Sequence, residues 1–155
     1  MSTPDFILAL REKVGTAPLW LSGVTAVVER DGEILMVRRA DNGRWTPVTG
    51  IIDPGEEPAA AARREILEET GVHAEAVRLA SVTVTKPVTY ANGDVTQYID
   101  LCFRFRWISG EPYPADGENT EAHWIPFGEL PELSPQHAAN VARALSDAEA
   151  AYFRS

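Results

Sequence analysis

The sequence predicts one α/β or α+β domain built around a mixed β-sheet, on three observations. Runs rich in β-branched residues recur at 23–40, 73–90 and 95–108, the composition that strands favour. Helical periodicity or helix punctuation marks the start, the middle and the end of the chain. No repeat, low-complexity tract or long linker divides these segments, and 155 residues suffice for one hydrophobic core. The domain is therefore expected to span 1–155.

Each element has its own signal. Thr3 can cap a short helix with Pro4 at its first position and Gly15 beyond its end. Phe6, Leu10 and Val14 give that helix a narrow apolar side. Residues 23–40 read as two strands around an Asp31-Gly32 hairpin turn. The stretch 41–58 is rich in Gly, Pro, Asp and Asn and is expected to be loop. A helix over about Pro58 to Thr70 follows, closed by Gly71. Two long strands, 73–90 and 95–108, are joined by a turn at Asn92-Gly93. A second loop, 109–123, leads into a last helix starting near Ser134, with Ala138, Val141, Ala142, Leu145 and Tyr152 on one stripe.

Composition narrows the function. Hydrophobic residues make up 45% of the chain and charged residues 24%, as in soluble globular proteins. The formal charge of −9 argues against binding nucleic acid, which calls for a basic patch. Anionic small ligands stay open if a cation mediates the contact. Cys102 is the sole cysteine, read as a buried strand residue. The N-terminal stretch has no signal-peptide pattern, and no run reaches the ~18 apolar residues of a membrane span. A cytoplasmic protein without membrane partners is the expectation.

The helix ending at Gly71 breaks local rules. Glu65, Glu68 and Glu69 share one face near its C-terminus, where the helix dipole disfavours anions and like charges at i, i+3 and i+4 repel. Ala59, Ala60, Ile66 and Leu67 can turn toward a core on the remaining arc, and Arg64 stands one turn before Glu68. Glu56 and Glu57 can fold back from the preceding glycine-rich loop, Gly50 to Gly55. Gathered carboxylates with backbone carbonyls suit a hard cation, Mg²⁺ or Mn²⁺. A rule broken in this way marks a candidate functional site; a solvated charged face is the alternative.

Residues 50–72 resemble, without a gap, the signature of the Nudix (MutT-like) hydrolase superfamily. Its fixed positions are Gly50, Glu56, Arg64, Glu65, Ile66, Glu68, Glu69, Gly71 and Val72. The run before it, WTPVTG, differs from the W-x-L-P-G-G-like form common in that family. The resemblance implies a Nudix-type α/β/α sandwich and Mg²⁺-dependent hydrolysis of a nucleoside diphosphate linked to another moiety, with Mn²⁺ as a possible substitute. It implies Gly50, Glu65, Glu68 and Glu69 as metal ligands, Glu65 or a distal-loop acid (Glu118 or Glu121) as general base, and Arg64 as the residue orienting the glutamates. A catalytically silent domain that senses a nucleotide metabolite and a purely structural cation site are the rival readings. A homodimer through the N-terminal helix and first strands is the family's habit.

Substrate contacts are less legible. Arg38 and Arg39 could reach phosphates as bidentate donors, with strand alternation letting only one face the cleft. Arg44 and Lys86 are further candidates. Trp20, Tyr90 and Tyr113 could stack on a base, whereas Trp45, Trp107 and Trp124 read as core. Pro87, 15 residues past Val72, resembles a position of ADP-ribose hydrolases, and Tyr90, 18 past it, one of dinucleoside polyphosphate hydrolases. His73, His123 and His137 lack metal-ligand spacing.

Overall fold

The computed structural model describes residues 3–155. Among the described residues three α-helices are interleaved with nine strands: α1 (Asp5–Val14), β1 (Leu19–Arg30), β2 (Glu33–Arg39), β3 (Trp45–Thr46), β4 (Val48–Ile51), α2 (Pro58–Thr70), β5 (His73–Val84), β6 (Val88–Thr89), β7 (Val95–Ser109), β8 (Asn119–Pro126), α3 (Pro135–Leu145) and β9 (Tyr152–Phe153). Among the described residues no helix is long and apolar enough to cross a membrane.

The strands form one mixed sheet in the order β3-β2-β1-β7-β5-β9, with β4 also pairing β1, β6 pairing β7 and β8 pairing β2. β1 and β7 run parallel, as do β5 and β9, while the other pairs are antiparallel. Strand alternation divides the side chains between two faces. Val24, Ala26, Val28, Leu35 and Val37 pack with Ala61, Ala62 and Ile66 of α2. Val27, Ile34 and Met36 pack on the other face with Val141 and Ala144 of α3. The result is the α/β/α sandwich, with α2 packed on one face of the sheet and α3 on the other.

The Asp31-Gly32 turn closes the first hairpin with both residues at positive φ, 47° and 82°, as a type I′ turn requires. The 41–58 segment, expected to be loop, contains β3 and β4. Both are too short to show a period, and β4 is extended because its backbone pairs Gly23–Ala26 of β1. The second expected loop yields β8 from Asn119 onward, drawn into pairing by β2. At the first helix Pro4 itself is the N-cap, without a side-chain cap from Thr3. Its buried residue is Ile7, set against Leu21 and Ile51, while Leu10 and Val14 stay largely exposed.

α3 starts where expected, and Ser134 caps it by accepting from the His137 N–H at 3.2 Å. It ends at Leu145, so Tyr152 belongs to β9 and not to the helical stripe. The buried face is Asn140, Val141 and Ala144, with Ala138 and Ala142 outside. A polar anchor accounts for that rotation: Asn140 donates to Asp100 at 2.9 Å, and the Thr25 hydroxyl donates to the same carboxylate at 2.9 Å. Cys102 is buried and free as expected. Trp45, Trp107 and Trp124 pack partly buried against the two cores.

Candidate active site

α2 forms because Pro58 opens it at a first-turn position and Gly71, at φ 70°, closes it in the left-handed conformation. Its buried side chains are Ala61, Ala62, Glu65, Ile66, Glu69 and Thr70. Thus two of the three acids lie on the inward side, Glu65 and Glu69 each being 3% exposed, one turn apart. Glu68 faces solvent, and Leu67, expected to reach a core, is 42% exposed.

Arg64 knots the acids together. Its Nε and Nη2 donate to the two oxygens of Glu56 at 2.8 and 2.9 Å, and Nη1 donates to Glu65 at 2.8 Å and to Glu68 at 3.2 Å. Nη2 also reaches the Ile51 carbonyl at 3.3 Å, joining helix to loop. The fork geometry of a guanidinium suits this shared grip. The Glu56 carboxyl is held below its ordinary range by the Arg64 hydrogen bonds. Glu65 is pushed up, chiefly by burial, against the pull of Arg64. Glu69 is pushed up to about 7, chiefly by burial; a hydrogen bond from Asn119 opposes this, and the nearby Glu65 and Asp116 charges add to it.

Gly50 belongs to this geometry through its lack of a side chain. A Cβ there would lie 2.2 Å from Glu65 Cγ, so only glycine lets the β4 backbone lie against that acid. The loop 110–118 covers the C-terminal end of α2. Tyr113 N–H donates to the Thr70 carbonyl at 3.1 Å and Ala115 N–H to the Glu69 carbonyl at 3.0 Å, satisfying carbonyls a helix end leaves unpaired. The Tyr113 ring lies over Gly71, where a Cβ would come within 2.4 Å of it. A cleft of about 530 Å³ opens beside these elements, lined by Pro4, Ile51, Asp53, Arg64, Glu65, Glu68 and Asp116.

Of the other predicted residues, Arg39 holds Asp41 through two hydrogen bonds at 3.0 and 2.8 Å. That contact raises its already high pKa, and Arg39 pairs Asn119, whose amide reaches Glu69, so it stands at the Glu69 end of the sheet. Tyr90 shares a hydroxyl hydrogen bond of 3.0 Å with Tyr98 and is 43% exposed. Arg38 is turned elsewhere: it donates to Glu121 at 2.9 Å and to the Gly43 carbonyl at 3.1 Å. Arg38 and Glu121 are register partners and follow Met36 and Ile125 onto the α3 face, opposite to the acid helix. Glu118 is half-buried, its carbonyl accepting from Ala40 N–H at 2.9 Å. Trp20 and Tyr113 are exposed, and Pro87 ends the strand run between β5 and β6. Three site residues escaped the sequence reading: Asp53 and Asp116, which line the cleft, and Asn119, whose amide reaches Glu69 at 3.0 Å.

A mixed-sheet sandwich that presents an acidic helix beside a glycine-bearing strand defines a class of α/β protein with a carboxylate-lined cleft. The NUDIX domain profile matches residues 20–146, and this chain belongs to the NUDIX family. It is 32% identical over 139 residues to a MutT-like protein of Streptomyces ambofaciens, covering 88% of this chain and 84% of that one. It is 30% identical over 134 residues to the NAD-capped RNA hydrolase NudC of Escherichia coli O1:K1 / APEC. That match covers 85% of this chain and 48% of NudC, so the chain spans about half the length of that relative. A MutT NUDIX hydrolase structure from Burkholderia pseudomallei superposes with a TM-score of 0.63 at 27% identity, over 81% of this chain and 98% of that one.

Proposed function

We propose that this protein hydrolyses a pyrophosphate bond in a nucleoside diphosphate linked to another moiety, in an Mg²⁺-dependent reaction that Mn²⁺ can also support. The observation that carries this reading is the pair of buried acids, Glu65 and Glu69, one turn apart on α2, with Glu65 lining the cleft beside Arg64, which donates to it. Burying two carboxylates one turn apart is costly unless a positive charge compensates. Among the described residues no group of three His, Cys, Asp or Glu side chains stands arranged to hold a metal ion by itself. Mg²⁺ is typically bound through one or two carboxylates, with water and substrate phosphates completing its shell. The donors are all oxygens, and the Gly50 backbone against Glu65 leaves no room for a side chain between them. Glu65, Glu68, Glu69 and Gly50 would hold the ion, which would supply charge neutralisation for the pyrophosphate and Lewis acidity toward water.

The protein's own groups carry the rest. Phosphoryl-transfer catalysis is mostly positioning and electrostatic stabilisation. Arg64 fixes the glutamates through four hydrogen bonds to Glu56, Glu65 and Glu68. Either Glu65, whose proton affinity burial raises, or Glu118 takes a proton from the attacking water. Arg39 is the better placed of the two strand arginines to meet a phosphate, because it pairs Asn119 beside Glu69 whereas Arg38 follows Met36 onto the α3 face. Tyr90, partly exposed at the hairpin tip, offers a ring to a base.

The test is a product screen over ADP-ribose, NADH, diadenosine polyphosphates, nucleotide sugars, dNTPs and 8-oxo-dGTP, with Mg²⁺ and with EDTA. Cleavage of at least one compound by wild type and a loss of at least a hundredfold in Glu69→Gln is expected. Full activity of Glu69→Gln, or turnover unaffected by EDTA, would overturn the metal assignment.

A further inference from the structure

Asn119 is 5% exposed and sits at the start of β8, far in sequence from the acid helix. Regular alternation along β8 would not send it there. Ala122 packs in the α2-side core and Glu121 pairs Arg38 on the other face, so an unbroken strand would put residue 119 on the Glu121 face. The register between β2 and β8 shifts at Arg38/Arg39, pairing Arg38 with Glu121 but Arg39 with Asn119. Thr120 is the extra residue of that bulge, exposed, its hydroxyl on the Arg38 carbonyl. A β-bulge of this kind re-aims the neighbouring side chain, and here it turns the Asn119 amide inward to Glu69 Oε2.

We infer that Asn119 is the positioning residue for Glu69, holding this carboxylate in the orientation in which it binds a divalent cation. This rests on the reading of Glu69 as a cation ligand. The chemistry of the donor distinguishes Asn119 from Arg64. A guanidinium compensates the charge of the acid it holds, as Arg64 does for Glu56. A carboxamide N–H fixes one oxygen of a carboxylate without adding a positive charge, so the anion keeps its full attraction for a cation. Glu69 is fixed twice by the same segment, its carbonyl by Ala115 N–H and its side chain by Asn119. Partners that orient metal ligands typically change metal affinity 10–100-fold when removed.

The experiment is Mn²⁺ binding to the full chain, read as free Mn²⁺ by electron paramagnetic resonance, for wild type, Asn119→Leu, Glu69→Gln and the double variant. Leucine keeps the shape and removes the donor; Asn119→Ser is a second variant should leucine prevent folding. Asn119→Leu is expected to weaken Mn²⁺ about tenfold or more with a melting temperature near that of wild type. In the Glu69→Gln background the same change should alter Mn²⁺ affinity less than twofold, because the residue acts through Glu69. Unchanged affinity in the single variants, or an additive loss in the double, would overturn the role of Asn119 while leaving the metal site standing. Absence of Mn²⁺ binding by wild type would overturn the metal reading itself, and with it this inference.

Discussion

At Gly50 the requirement is spatial. The missing side chain lets a strand lie against Glu65, and any Cβ would fall 2.2 Å from Glu65 Cγ. Backbone cannot retreat easily, because Gly50 pairs Val24 in the sheet interior. Gly50→Ala should therefore move the acid rather than the strand. The expected outcome is a loss of at least tenfold in turnover and in Mn²⁺ affinity, with Arg64 losing its grip on Glu65. A circular dichroism melt lowered by no more than about 3 kcal/mol in stability, within the range of overpacked sites, would show that the fold survives. Retained Mn²⁺ affinity would show that Glu65 is not needed at this position. The reading that put Gly50, Arg64, Glu65 and Glu69 together rests on a motif whose positions are contiguous in sequence. Asn119 and Asp116 were not legible, because their approach depends on a bulge and on a loop folding over a helix end, neither of which has a local pattern.

Among the elements, α1 stands apart. It precedes the residues matched by the NUDIX domain, yet Pro4 at its start lines the cleft beside Glu65, Glu68 and Asp116. Ile7 anchors it against Leu21 and Ile51, and Ile51 itself lines the cleft and accepts from Arg64. At its far end Arg11 donates to the Val95 carbonyl at 2.9 Å, next to the hairpin that carries Tyr90. Loosening α1 should thus disturb where substrate sits more than how the acids act. Ile7→Ala is expected to cost about 2–3 kcal/mol, as large-to-small core changes do, and to raise KM several-fold with kcat within about twofold of wild type. Steady-state kinetics on the best substrate from the screen would decide it; a drop in kcat at constant KM would refute the wall role. The helix over Pro58 to Thr70 was readable from its proline, its glycine and its motif. β3, β4 and β8 were hidden, since the polar residues and turn formers of 41–58 and 109–123 obey long-range pairing rather than local propensity.

The whole molecule carries a charge of −9 and keeps two of its acids buried beside one another, a stress that shows as a dependence of stability on pH and on cations. Burial raises the Glu69 carboxyl from 4.5 to about 7. A folded-state pKa raised above the unfolded value means that folding favours the protonated form. That contribution is fully present below about pH 4.5 and is lost as pH rises through 7. In EDTA the melting temperature should therefore fall between pH 5.5 and pH 8, and Glu69→Gln should flatten part of that slope. A cation that binds the folded state alone stabilises by mass action, about 2.7 kcal/mol at a hundred times its dissociation constant. For a chain of this length that is about 5–10 °C. Protons compete with the cation for the same carboxylate, so the gain from Mg²⁺ should be largest at pH 8 and shrink toward pH 5.5. Melts at matched ionic strength, with NaCl replacing MgCl₂, separate this from general screening of the acidic surface. An equal Mg²⁺ gain at both pH values, or the same gain in Glu69→Gln, would place the cation away from Glu69.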